Sequence, residues 1–145
     1  MTEPPTAADI LLVEDNPNDV ELTLRALKKN NLINRVVVAK NGVEALDMIF
    51  GNESRGPVGL KAVLLDIKLP KVDGIEVLRR LKIDPRTKIL PVVMLTSSRE
   101  GSDLKACYDL GVNSYIVKPV EFDKFVEAMS HLGLYWLLLN VAPKL

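Results

Sequence analysis

The sequence predicts an α/β domain with a doubly wound parallel sheet, one layer of strands with helices on both faces. Two observations predict it. Strand-like and helix-like segments alternate five times along the chain. The strand-like segments are short apolar runs closed by turn residues, a pattern that suits strands buried on both faces. Strands separated by single helices at this spacing imply parallel pairing and right-handed crossovers.

Each element has its own signals. Ile10-Leu11-Leu12-Val13 is the first strand, and it runs into Glu14-Asp15-Asn16-Pro17. Asn16 suits an N-cap and Pro17 the first helical position. Val20, Leu24 and Leu27 then recur on one helical face. Val36-Val37-Val38-Ala39 is the second strand. Asn41-Gly42-Val43-Glu44 reads as a capping box opening a helix with Val43, Leu46, Ile49 and Phe50 on its core face. A polar loop from Gly51 to Gly59 leads to the central strand, Ala62-Val63-Leu64-Leu65-Asp66. After Leu69-Pro70-Lys71-Val72, Asp73 caps a third helix, with Glu76 three residues on and Leu78 and Leu81 facing the core. Asp84-Pro85 and Leu90-Pro91 bracket the next connection. Val92-Val93-Met94-Leu95 is the fourth strand and ends in Thr96-Ser97-Ser98. A fourth helix from about Glu100 to Leu110 stops at Gly111, a left-handed C′ glycine. Ser114-Tyr115-Ile116-Val117 is the last strand, followed by Lys118-Pro119 and a long helix from about Glu121 to Leu139.

A chain of 145 residues fits one domain with a substantial core. Residues 1–8 read as a disordered tail, 9–140 as the domain and 141–145 as a second tail. Lysine plus arginine equals aspartate plus glutamate at 19 each, so no bulk charge draws in nucleic acid or an anionic membrane. No apolar stretch approaches the ~18 residues of a membrane span, and Met1 to Ala8 does not resemble a signal peptide. A single cysteine, Cys107, fits a reducing cytoplasm and an ordinary helix position. His131, the lone histidine, reads as structural or solvated.

In a parallel sheet all carboxyl ends share one edge. Here that edge carries Glu14 and Asp15, then Asp66, then Thr96, then Lys118. Each has an ordinary reading alone: the acids complement a helix N-terminus, Thr96 caps a helix, Lys118 is a solvated charge. Together they make a chemical set. Converging carboxylates repel unless a hard divalent cation sits among them, and Mg²⁺ takes few carboxylates, with water and phosphate oxygens completing its shell. A carboxylate beside such a metal is a nucleophile toward phosphorus. Lys118 and the Thr96 hydroxyl would neutralise the transferring phosphoryl oxygens. The set is suited to forming and holding an aspartyl phosphate.

These residues resemble a response-regulator receiver domain (CheY-like) over about residues 9 to 130. The motifs are Glu14-Asp15, Asp66 in Leu-Leu-Asp-Ile-Lys-Leu-Pro-Lys-Val-Asp-Gly, Thr96 in Leu-Thr-Ser-Ser, and Lys118 in Tyr-Ile-Val-Lys-Pro. The resemblance implies a flavodoxin-like sheet of order 2-1-3-4-5 with five helices. It implies that Asp66 accepts a phosphoryl group from a sensor histidine kinase. It implies Mg²⁺ (or Mn²⁺) on Asp15, Asp66 and the Lys68 carbonyl, with Glu14 reaching the metal through water. Thr96 and Lys118 would contact the phosphoryl oxygens, and Tyr115 would act as an aromatic switch with Thr96. Such a chain is no enzyme beyond its own phosphoryl transfer and slow autodephosphorylation. The opening Leu-Leu-Val-Glu-Asp-Asn-Pro-Asn-Asp-Val-Glu-Leu-Thr and the close His-Leu-Gly-Leu-Tyr-Trp-Leu-Leu-Leu-Asn resemble stand-alone regulators of cyanobacterial and bacterial phytochrome-type kinases.

Rival classes fit less well. A haloacid-dehalogenase-type phosphatase wants a second aspartate two residues after the first, where this chain has Lys68. A dinucleotide or flavin binder needs a glycine- or hydroxyl-rich first loop, where this chain has acids. The surviving alternative is a dimeric scaffold indifferent to phosphorylation. Either way a two-fold homodimer is expected. Phe122, Phe125, Met129, Leu132 and Trp136 form a seam spaced three and four apart, and Tyr135 and Leu138 make the last turns apolar nearly all round.

Overall fold

The computed structural model describes residues 10–28, 36–51, 60–97 and 101–131. Its elements are β1 (Ile10–Val13), α1 (Pro17–Lys28), β2 (Val36–Ala39), α2 (Gly42–Phe50), β3 (Ala62–Asp66), α3 (Gly74–Ile83), β4 (Val92–Thr96), α4 (Gly101–Asp109), β5 (Ser114–Val117) and α5 (Phe122–His131). The sheet is parallel throughout, in the order β2-β1-β3-β4-β5. The expected doubly wound, flavodoxin-like architecture is therefore present. The expected tails, the loop after Gly51, Ser98 and the last helix beyond His131 lie outside the described residues.

Successive strand residues face opposite sides, and two cores result. Leu11, Val13, Val63, Leu65, Val92 and Met94 pack beneath α2, α3 and α4. Ile10, Leu12, Leu64, Val93, Leu95 and Ile116 pack beneath α1 and α5. Both faces are covered, which is why the strands read as continuous apolar runs. Phe125 is fully buried in the second core. That corrects its expected place between two copies of the chain: the seam on α5 faces the protomer's own sheet at this position, because a single sheet face needs that stripe to be covered.

The caps explain where the helices start. The Asn16 side chain accepts from the amides of Asn18 and Asp19, Asn41 from Glu44 and Asp73 from Glu76. The return half of the capping box differs from expectation. Glu44 accepts from the Lys40 amide, and Glu76 is drawn instead to the guanidinium groups of Arg79 and Arg80. Val43 is a second correction: it is 40% exposed, and Ala45 takes its place on the buried face. The face runs Gly42, Ala45, Leu46, Ile49 because Gly42 abuts the loop after β3, where a Cβ would lie 1.9 Å from the Val72 carbonyl oxygen. Only a glycine allows that approach, and it fixes the rotation of the helix. Helix α4 ends in a Schellman motif. Gly111 has φ +89, the Val112 amide donates to Cys107 and the Gly111 amide to Tyr108.

Candidate functional site

The carboxyl edge of the sheet is built residue by residue from its register. Val13 pairs with Leu65, so Glu14 and Asp66 leave their strands side by side. Asp66 pairs with Leu95 and Thr96 with Val117. The ladder continues past the strand ends: the Glu14 amide donates to Ala39, Ile67 to Leu95 and Lys118 to Thr96. Helix α3 begins hard against this edge. The Gly74 amide donates to the Ile67 carbonyl, and a Cβ on Gly74 would come within 1.9 Å of the Asp66 carbonyl oxygen. The turn before it holds Lys71 at φ 69, in the left-handed region. All five expected residues thus stand on one edge, at the point between β1 and β3 where the winding of the sheet reverses and open α/β sheets place their ligands.

Lys118 is the centre of the cluster. Its Nζ donates to Glu14 Oε1 at 2.8 Å, Asp19 Oδ2 at 2.9 Å and Asp66 Oδ2 at 3.2 Å. Burial works against its charge, but hydrogen bonds to Glu14 and Asp19 and the field of Asp66 outweigh it, so the ammonium holds its proton above the usual lysine range. Glu14 goes the other way. Burial first, opposed by the Lys118 hydrogen bond and then reinforced by Asp66, pushes its carboxyl up to about 7. One cation does not satisfy this many acids.

A metal ion fits that shortage. Glu14, Asp15 and Asp66 each offer a carboxylate oxygen, and these atoms lie within 4.8 Å of one another. Glu14 and Asp66 are buried while Asp15 is open to solvent, so an entering ion can exchange water on one side. Hard oxygen donors are what Mg²⁺ or Mn²⁺ prefers. Lys68 follows two residues after Asp66. Its amide approaches Asp66 Oδ1 at 3.4 Å, and its exposed side chain lies 3.8 Å from Asp103 Oδ2. Thr96 is buried beside the acids at the end of β4.

Tyr115 does not join this cluster. It lies on β5 opposite Met94 and is 37% exposed. Its ring meets that of Tyr108 edge to face, with centroids 5.8 Å apart. A groove of about 340 Å³ runs beside both, lined further by Lys124, Glu127 and His131. Of the expected dimer residues, Leu132, Tyr135, Trp136 and Leu138 lie outside the described residues, as do the side chains of Phe122 and Met129. Asp19 is the site residue that sequence reasoning missed. It belongs to the first turn of α1, and its only sequence signal is its place three residues after the Asn16 cap.

Fold and site together define a class: a doubly wound domain with a buried acidic cluster, one lysine and one hydroxyl at the reversal point of its sheet. The chain belongs to the response regulator receiver domain family, whose model its residues 10–130 match. It is 40% identical over 134 residues to the probable methanogenesis regulatory protein FilR2 of Methanothrix harundinacea, covering 92% of this chain and 86% of that one. It is 33% identical to the response regulator Rcp1 of Synechocystis, covering 92% of each. Among solved structures it is similar to the bacteriophytochrome response regulator AtBRR, at 54% identity and a TM-score of 0.81 over 94% of this chain and all of that one. The Mn²⁺-bound form of Rcp1 superposes with a TM-score of 0.71 at 31% identity, over 94% of this chain and 99% of the other. Among the described residues no helix is long and apolar enough to cross a membrane.

Proposed function

We propose that this chain is a phosphorelay response regulator whose Asp66 accepts a phosphoryl group from a sensor histidine kinase of the phytochrome type. The observation that carries it is the three-way hydrogen bonding of Lys118 to Glu14, Asp19 and Asp66 beside an acidic cluster of metal-ligand geometry. Likeness to bacteriophytochrome regulators and to Rcp1 supports the kinase class. Glu14, Asp15, Asp66 and the Lys68 carbonyl would hold Mg²⁺ or Mn²⁺, which when bound supplies positive charge to the phosphoryl oxygens.

The residues divide the work. An Asp66 carboxylate oxygen attacks phosphorus in line, the new O–P bond forms as the P–N bond to the kinase imidazole breaks, and the electron pair leaves with the imidazole nitrogen. Lys118 keeps its proton throughout and offers N–H donors to the oxygens that gain charge. The Thr96 hydroxyl, at the end of the neighbouring strand, turns toward the phosphoryl group. Tyr115 then leaves its outward contact with Tyr108 and moves inward, which changes the face made by α4, β5 and α5. The chain forms a homodimer through the apolar stretch of sequence from Leu132 to Leu138, and phosphorylation alters the geometry of that dimer. The chain acts in the cytoplasm through its receiver domain.

Incubation with acetyl phosphate and Mg²⁺ tests the reading. One base-labile and hydroxylamine-labile phosphate per chain is expected, and none on Asp66→Asn. Sedimentation equilibrium at micromolar concentration tests the dimer, and a monomer of about 16 kDa with and without beryllofluoride would refute it.

A further inference from the structure

We propose that Asp19 is a positioning residue for Lys118, drawing its ammonium toward α1 and so leaving Glu14 and Asp66 open to a divalent cation. The inference deepens the reading above and rests on it. A lysine ammonium has three N–H donors, and here each meets one carboxylate, at 2.8, 2.9 and 3.2 Å. Two of the three acceptors, Glu14 and Asp66, also belong to the acidic triad whose oxygens lie within 4.8 Å of one another. The ammonium and a metal ion therefore compete for the same two carboxylates. Asp19 is the acceptor outside that triad. It reaches Lys118 from the first turn of α1, 99 residues away in sequence, and its side chain is 34% exposed while that of Lys118 is only 11% exposed.

Two effects of opposite sign follow from that placement. With Asp19 ionised, one donor of Lys118 is spent outside the triad, and Glu14 and Asp66 are less fully occupied by the ammonium. With its charge removed, the ammonium settles on Glu14 and Asp66 alone, and a cation must displace it. For an anion the balance reverses. Asp19 partly neutralises Lys118, so its removal strengthens the field that Lys118 presents to phosphoryl oxygens. A residue that only braced the fold would weaken both cation and anion binding when lost.

The test is calorimetric titration of the full chain with Mg²⁺, and with beryllofluoride at saturating Mg²⁺, on wild type, Asp19→Asn, Asp19→Ser and Asp19→Glu. For the two neutral variants the Mg²⁺ Kd should rise roughly three- to fivefold, the range of a partly exposed charge pair. The beryllofluoride Kd should fall by a similar factor. Asp19→Glu should restore wild-type values. Unchanged binding of both probes, or weakening of both, in either neutral variant that keeps the wild-type circular dichroism would overturn the proposal. If the wild-type chain bound neither probe, the functional reading itself would fail, an outcome distinct from the failure of Asp19.

Discussion

Two lysines on opposite edges of this sheet make three hydrogen bonds each and have different fates. Lys118, at the carboxyl edge, donates to three carboxylates. Lys82, near the end of α3 at the amino edge, donates to the carbonyls of Lys88 and Leu90 and to Asn113 Oδ1, at 3.1 to 3.3 Å. Both are partly buried. Burial lowers the pKa of Lys82, and among the described residues no carboxylate hydrogen-bonds to it to reverse that, whereas the acids around Lys118 raise its pKa despite burial. Lys82 is a staple: Asn113 Oδ1 also accepts from the Val92 amide, so the pair ties the starts of β4 and β5 together. Among the described residues Lys118 is instead the one cation hydrogen-bonded within an over-charged cluster, which on the proposed reading a metal or a phosphoryl group would rebalance. The number of bonds is equal, and the charge of the acceptors separates scaffold from chemistry.

The same substitution at both edges separates the two lysines. Lys118→Met should slow phosphorylation by acetyl phosphate on the order of a hundredfold, as loss of a donor to developing charge does elsewhere. Lys82→Met should leave that rate unchanged and lower unfolding free energy by roughly 1–3 kcal/mol, because the Lys88 and Leu90 carbonyls lose the lysine donor and Asn113 Oδ1 keeps only the Val92 amide. Paired rate and urea-unfolding measurements decide it. An equal effect of both variants on the rate would show that the two lysines share one role.

The acids of the two regions respond to pH in opposite directions. The Glu14 pKa of about 7 lies above the ordinary carboxyl value of 4.5, so the folded chain keeps a proton that the unfolded chain releases. Metal-free stability should therefore fall as pH rises from about 4.5 through about 7, the direction opposite to a salt-bridged acid. Mg²⁺ must displace that proton and should stabilise the fold more at pH 8 than at pH 6. Glu14→Gln should flatten both trends in thermal melts. Glu76 supplies the contrast and the smallest effect. Hydrogen bonds from Arg79 and then Arg80 lower its pKa from 4.5 to about 2. Its contribution is complete above about pH 4.5 and is lost as pH falls toward 2, and Glu76→Gln should remove only that acid-side slope.

The sequence made the sheet edge legible because four of the five strands end in a carboxylate, a hydroxyl or an ammonium, and parallel pairing alone then brings Glu14, Asp15, Asp66, Thr96 and Lys118 together. Helix starts were legible through Asn16, Asn41 and Asp73, whose caps act within three residues. What could not be read depends on contacts between distant segments. Val43 turns outward because Gly42 meets Val72, a packing event that helical periodicity does not encode. Phe125 fits an α5 seam facing either its own sheet or a second copy, and only the assembled core decides for the sheet. Asp19 looks like an ordinary first-turn acid until α1 is laid beside the end of β5.

On the proposed function, the acidic edge serves to place a phosphoryl group on Asp66. Intact-mass spectrometry of wild type and Asp66→Asn after incubation with acetyl phosphate and Mg²⁺ tests it most directly. One added phosphate on the wild type, removed by hydroxylamine and absent from Asp66→Asn, is the predicted result. Equal uptake of a labile phosphate by both chains would contradict it.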